Sequence, residues 1–113
     1  MSVTIENITA FSHNQFYRIM RGRYVIAKKG REYKKLVQDS LNGIVPSKNK
    51  IRLMIEVFYS SKRIRDVDNV CKPLLDALKG FVYVDDSQID ELEIKKHIGE
   101  PTNKIIISWK ELN

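Results

Sequence analysis

The nine residues Ile51-Arg52-Leu53-Met54-Ile55-Glu56-Val57-Phe58-Tyr59 constrain the fold more than any other stretch of this chain. Ile51, Leu53, Ile55, Val57 and Tyr59 recur at every second position, which lines one face of a strand and scatters around a helix. The β-branched content agrees with that reading. The second face carries Arg52, Met54, Glu56 and Phe58, so a central strand covered on both sides is expected. Partners for it are present. "SVTIENITA" has Val3, Ile5 and Ile8 roughly in alternation and reads as a first or edge strand. "ELEIKKHI" alternates Leu92, Ile94, Lys96 and Ile98 against charged residues, and "KIIISW" sets Ile105, Ile107 and Trp109 on one face. The turn "GEPTN" between the last two predicts a hairpin. "FVYV" (81–84) reads as a short extended segment.

Two stretches have the other period. From Arg31, Tyr33, Leu36, Val37 and Leu41 recur at helical spacing up to Gly43. Val67, Val70, Leu74, Leu75 and Leu78 form a second stripe ending at Gly80, and Pro73 is tolerated only near a helix start, which places that start at Asp68 or Asn69. "FSHNQFYRIMRGRYVIAKKG" (11–30) has no clean period, although "YVIA" fits a short strand. The expected architecture is α+β: one domain over residues 1–113, a mixed sheet packed with two main helices.

Lys and Arg number 20 against 14 Asp and Glu, a formal net charge of +6. That balance points to a polyanionic partner, nucleic acid foremost. The single cysteine, Cys71, excludes an internal disulfide and a cysteine-based zinc cage, and fits a reducing cytoplasm. No signal-like opening and no apolar run of about 18 residues is present, so no membrane span is expected.

The chemistry has few places to reside. There is no nucleophile elbow and no glycine-rich phosphate loop, and neither His13 nor His97 has ligand spacing. The carboxylates are more telling. Asp66 and Asp68 stand two apart directly after the basic run Lys62-Arg63-Ile64-Arg65, although two such groups repel unless a cation lies between them. Asp85 and Asp86 follow the second helix, and a return of the chain through Gly80 brings the four carboxylates within range of convergence. Oxygen donors without organised His or Cys suit Mg²⁺ or Mn²⁺ rather than zinc. Lys72 lies one turn beyond Asp68, placed to stabilise charge on a phosphate. The same residues also fit structural roles: Asp66 or Asp68 as helix cap, Asp85-Asp86 as an ordinary turn, Lys72 as an ion-pair partner of Asp68 or Asp76.

"RIRDVDNVCKPLLDALKGFVYVDDSQI" resembles the segment that identifies the RusA family of Holliday junction resolvases: basic residues, D-x-D-N, a lysine four residues after the second aspartate, D-A-L, and D-D followed by Q-I. "NQFYRIMRGRYVIAKKGREYKKLV" is similar to the family's N-terminal part. The resemblance implies a Mg²⁺- or Mn²⁺-dependent endodeoxyribonuclease, homodimeric, found mainly in phages and prophages, that resolves four-way DNA junctions by paired symmetric nicks. By position, Asp66, Asp68 and Asp86 match the family's metal-binding catalytic aspartates and Lys72 its essential lysine. Arg65 matches a basic residue beside the site, and Asp85 is an adjacent carboxylate and further candidate ligand. The family's proline-rich opening is replaced here by "TAFSHN", and Pro73 directly after Lys72 is a second departure. Arg18, Arg21, Arg23, Lys28, Lys29, Arg31, Lys62, Arg63 and Arg65 are the expected DNA face. The alternatives are a branched-DNA-binding module without catalysis, and a metal-dependent nuclease acting on another nucleic-acid structure.

Overall fold

Strand β4 (Ile51–Tyr59) forms at the expected residues and is interior to a four-stranded sheet. A computed structural model describes residues 1–112. The sheet also contains β1 (Ser2–Glu6), β5 (Ile89–Ile98) and β6 (Lys104–Glu111), in the order β1-β6-β4-β5. β6 runs antiparallel to β1 and β4, whereas β5 runs parallel to β4, so the sheet is mixed. Ile51, Leu53, Ile55, Val57 and Tyr59 are all buried on one face. The other face is open rather than covered by a second layer, because Arg52 is exposed and Met54, Glu56 and Phe58 are only half-buried. Phe58 gains local shelter instead: His97 stacks on its ring at 4.4 Å and the Lys104 ammonium lies 4.8 Å from the ring centre.

The expected hairpin of β5 with β6 does not form; β4 lies between them. The most apolar strand takes the interior place. Ile105 and Ile107 of β6 register opposite Val57 and Ile55 and join the buried layer, while β5 leaves Leu92, Lys96 and Ile98 exposed and serves as an edge. The 99–103 connection therefore crosses the end of β4, where Glu100 N donates to Tyr59 O (2.9 Å) and Ser60 N donates to Asn103 Oδ1 (2.8 Å).

Helix α2 (Lys28–Asp39) begins three residues before the expected Arg31, and buries Tyr33 and Val37 while leaving Leu36 exposed. Helix α3 (Cys71–Leu78) is preceded by a 3-10 turn over Val67–Val70, so the apolar stripe starts at Val70 and Val67 is exposed. Pro73 is thus within the first turn of α3, where its missing N–H costs nothing. Residues 81–84 form a turn rather than a strand, with Tyr83 bridging Ser47 and Lys79. Side chains of α2 and α3, among them Tyr33, Val37, Leu74, Ala77 and Leu78, join the buried face of the sheet in one core.

In residues 11–30 the short strand expected at "YVIA" does form, and it is joined by structure that the pattern does not announce. Helix α1 (His13–Phe16) is closed by a capping box in which Ser12 Oγ accepts from Gln15 N (3.3 Å) and Gln15 Oε1 accepts from Ser12 N (3.0 Å). It leads into a two-stranded ribbon, β2 (Tyr17–Met20) and β3 (Arg23–Ile26). Arg21 and Gly22 join them with φ of 51° and 75°, the doubly left-handed turn that suits the twist of a tight hairpin. No helix among the described residues is long and apolar enough to cross a membrane.

Candidate active site

The site is built on the passage from β4 to β5. A parallel partner requires a crossover, and the chain supplies it as the basic loop 60–66, the 3-10 turn, α3 and the turn before β5. Asp66 and Asp68 belong to the entrance of α3; Asp85 and Asp86 belong to its exit. All four are exposed. Asp66 occupies the N-cap position of the 3-10 turn with extended backbone, yet its side chain makes no capping bond. Among the described residues, the carboxylates of Asp66 and Asp68 have no hydrogen-bonded or ion-paired partner, and that of Asp86 approaches only the Tyr83 hydroxyl. The capping role expected as one possibility for Asp66 is therefore not what its carboxylate does.

Asp85 differs. Its carboxylate accepts from Ser87 N (3.0 Å) and Ser87 Oγ (2.5 Å), closes a capping box with Gln88, and pairs with Lys79 at 3.3 Å. Those donors hold its carboxyl down at about 2. Asp85 thus shapes the turn, and its neighbour Asp86 is left facing α3.

The electrostatics show what faces what. Burial raises the Cys71 thiol above its ordinary value, and Asp68 and Asp86 push it further in the same direction while Lys72 opposes them. Asp76, half-buried, is raised by burial first and by Asp86 second. Burial and Asp86 also raise Tyr83, whose hydroxyl donates to Leu75 O at 2.8 Å. Asp86 is therefore within electrostatic reach of Cys71, Asp76 and Tyr83, and Asp68 within reach of Cys71. Asp76 was visible in the sequence only as an ion-pair partner, although it lies one turn past Lys72 and two past Asp68. Lys72 does make that pair, its Nζ lying 3.3 Å from Asp76 Oδ1.

Asp66 faces elsewhere, into a cavity of about 420 Å³ whose walls include Ser12, Gln15, Tyr59, Arg63, Arg65 and Asn69. Arg65 is folded back over Tyr59, its guanidinium carbon 4.2 Å from the ring centre, and its carbonyl accepts a hydrogen bond from Lys96 Nζ. Its buried Nε has no protein partner among the described residues. Lys62 and Arg63 are exposed on the same loop, and Arg18, Arg21, Arg23, Lys28, Lys29 and Arg31 are exposed on the ribbon and the start of α2. The ribbon is tied to the site through α1, since Ser12 and Gln15 line the cavity and His13 lies close enough to Asp76 to lower its pKa.

The expected convergence of the four carboxylates is not formed in this structure. Among the described residues, no three His, Cys, Asp or Glu side chains are gathered as a group that could hold a metal ion. In donor chemistry the residues nevertheless fit a hard divalent cation: Asp66, Asp68 and Asp86 offer oxygen only, are open to solvent, and are not consumed by internal salt bridges. Neither histidine adds to them. His13 packs at 4.7 Å against Tyr17, and His97 Nε2 lies 3.3 Å from Glu56 Oε1 on the open face of the sheet.

Residues 8–108 match the family model described as Endodeoxyribonuclease RusA. The chain is 31% identical over 106 residues to a crossover junction endodeoxyribonuclease of Enterobacteria phage HK97, covering 89% of this chain and 88% of that relative. It is 32% identical over 89 residues to the enzyme of the same name from Enterobacteria phage 82, covering 75% and 74%. To that of Escherichia coli strain K12 it is 29% identical over 90 residues, with the same coverage.

Proposed function

This chain belongs to the RusA family of endodeoxyribonucleases, and from that premise we propose that it cuts four-way DNA junctions by metal-dependent phosphodiester hydrolysis at Asp66, Asp68 and Asp86. The observation that carries the assignment is the contrast within the crossover. Asp85 is fully engaged by Ser87 and Lys79, whereas the three carboxylates assigned to catalysis are solvent-facing and uncommitted to any salt bridge.

Asp66, Asp68 and Asp86 would hold Mg²⁺ or Mn²⁺. Bound there, such an ion supplies activated water and neutralises charge on the phosphodiester. The remaining work falls to the chain's own side chains. Lys72, steadied by Asp76 on the same helical face, presents its ammonium to the negative charge that builds on the phosphate and the leaving oxygen. Arg63 and Arg65 line the cavity beside Asp66 and offset the repulsion between the carboxylates and a DNA backbone. A homodimer would set two such sites about a two-fold axis, matching the near two-fold symmetry of a four-way junction and giving paired symmetric nicks.

The test is a labelled four-way junction incubated with the protein and Mg²⁺ or Mn²⁺, alongside Asp68→Asn. The wild type is expected to nick symmetrically. The variant is expected to bind the junction while nicking falls roughly a thousandfold, the scale of several kcal/mol of lost charge stabilisation. Binding without cleavage by the wild type in either ion would overturn the catalytic reading in favour of a binding module, and preferential cutting of flaps or single strands would overturn the substrate.

A further inference from the structure

We propose that the β2–β3 ribbon is the element that distinguishes a branch point from continuous duplex, by laying the uncovered Ile19–Tyr24 pair against unstacked bases while its arginines hold the flanking phosphates. The inference rests on the junction-cutting function proposed above and adds to it the residues that read branching. Its basis is the register of the ribbon. Tyr17 pairs with Ile26 and Ile19 with Tyr24, so these four side chains share one face; Arg18 pairs with Val25 and Met20 with Arg23 on the other. Tyr17 and Ile26 pack against the core. The same apolar face then continues outward, past the edge of the protein, to Ile19 and Tyr24, which are 66% and 69% exposed. A short ribbon that carries its apolar face beyond anything that could cover it presents a binding surface rather than a core.

The surroundings of that surface identify its occupant. No carboxylate occurs between Glu6 and Glu32, and Arg18, Arg21, Arg23, Lys28, Lys29 and Arg31 all lie within that stretch. Among the described residues none of these six forms an ion pair with the protein's own carboxylates. An apolar patch framed by uncompensated cations fits a partner that combines exposed planar rings with dense negative charge. A second copy of this ribbon would bring its own arginines into contact with these and be repelled. Continuous duplex keeps its base faces stacked and hidden, whereas the centre of a branched DNA leaves base pairs with an uncovered face. Tyr24 is suited to stack there, with the rings of Tyr17 and His13 behind it at 6.4 and 6.0 Å. The two-residue turn places Arg21 at the tip, and α1 joins the ribbon to the wall of the cavity that holds Asp66. Branch recognition and the scissile backbone are thereby placed next to each other.

The experiment uses the full chain and compares binding to a four-way junction and to a linear duplex of matched sequence, in EDTA so that nothing is cut. Ile19→Thr/Tyr24→Thr retains strand-compatible residues at two exposed positions. It is expected to lose roughly ten- to hundredfold in junction affinity, the loss corresponding to one stacked base, with duplex affinity changed less than about twofold. A second measurement needs no variant: a junction carrying 5-iodouracil at the branch point should photo-cross-link to Tyr24, and the same base within duplex should not. Junction and duplex affinities that fall together, junction affinity that does not fall, or a cross-link that maps outside the ribbon would each overturn the proposal. Wild-type nicking of the same junction in Mg²⁺ separates the two levels. If the wild type nicks and the double variant keeps its preference, only the ribbon's role fails; if the wild type neither nicks nor prefers the junction, the proposed function fails and takes the ribbon's role with it.

Discussion

Asp85 and Asp86 are adjacent and chemically identical, yet the backbone gives them different partners. Asp85 has extended backbone at the start of a 3-10 turn, so its carboxylate meets the N–H and hydroxyl of Ser87 and the ammonium of Lys79. Asp86, inside the turn, faces Tyr83 and Asp76. Substitution should separate them. Asp85→Ala is expected to lower the melting temperature by roughly a few degrees, as loss of a cap does, and to leave nicking measurable well below the transition. Asp86→Asn should leave the melting temperature nearly unchanged and abolish nicking. A variant pair that loses both properties together would mean that the turn acts as one unit. The family resemblance set Asp86 apart as the catalytic aspartate and left Asp85 as an adjacent candidate; spacing alone did not separate them, because which one the turn consumes depends on φ and ψ that two identical letters do not encode. Lys72 and Asp76 were easier to read, because i,i+4 spacing on a helix makes them neighbours whatever the tertiary structure, and the ion pair is present.

At the scale of elements, two contacts keep the site's supports in place. Gly30 lies in α2 against the end of α1, and a Cβ there would come within 2.6 Å of the Phe16 carbonyl oxygen. Glycine to alanine inside a helix ordinarily stabilises by about 1 kcal/mol; here the backbone clash reverses the sign, and Gly30→Ala should destabilise by roughly 1–3 kcal/mol in urea unfolding. The second contact ties β6 to the turn before β5. Glu111 accepts from Ser47 Oγ (2.8 Å) and Asn49 Nδ2 (2.9 Å), and Gln88 Nε2 donates to the carbonyls of Ser47 and Asn49. Those donors lower the Glu111 carboxyl below its ordinary 4.5. A folded-state value below the unfolded one means that the stabilisation is present above pH 4.5 and lost as pH falls through the folded value. The gap in urea midpoint between wild type and Glu111→Ala should therefore be widest near neutrality and close below pH 4.5. What was legible among the elements follows the same logic: β4 is long enough for its period to show and was found at its true bounds, whereas α3 was found with a start two to three residues early because the 3-10 turn before it continues the apolar spacing. β2 has four residues and exposes three of them, so no buried alternation marks it, whereas β3 was legible as the short apolar run "YVIA". The partner order of β5 and β6 was not legible, because it is decided by which strand best fills the interior, a comparison across the whole sheet.

For the molecule as a whole, the net charge of +6 matters less than its distribution. The acidic residues that lead into and along β5 are largely compensated, with Asp85 paired to Lys79, Asp90 to Lys50 and Glu93 to Arg52 and Lys95. The cations of the ribbon, the start of α2 and the 62–65 loop have no such partners among the described residues, so the protein's external positive field arises mainly from them. Arg63 and Arg65 line the cavity that holds Asp66, and Ser12 and Gln15 in the same wall belong to the α1 segment that leads into the ribbon. Phosphate contacts release condensed counterions, and each contributes about −0.9 to the slope of log affinity against log salt on duplex. Unpaired arginines should contribute in full, whereas cations already held by carboxylates have less to give. Arg18→Ala/Arg21→Ala/Arg23→Ala is therefore expected to reduce the slope by between two and three, from roughly −5 in a protein making five or six phosphate contacts. Lys50→Ala/Arg52→Ala removes two cations of the same formal charge and should leave the slope nearly unchanged. Losses in proportion to the cations removed, three against two, would show that net charge alone governs binding, and a flat salt dependence in the wild type would count against a nucleic-acid partner.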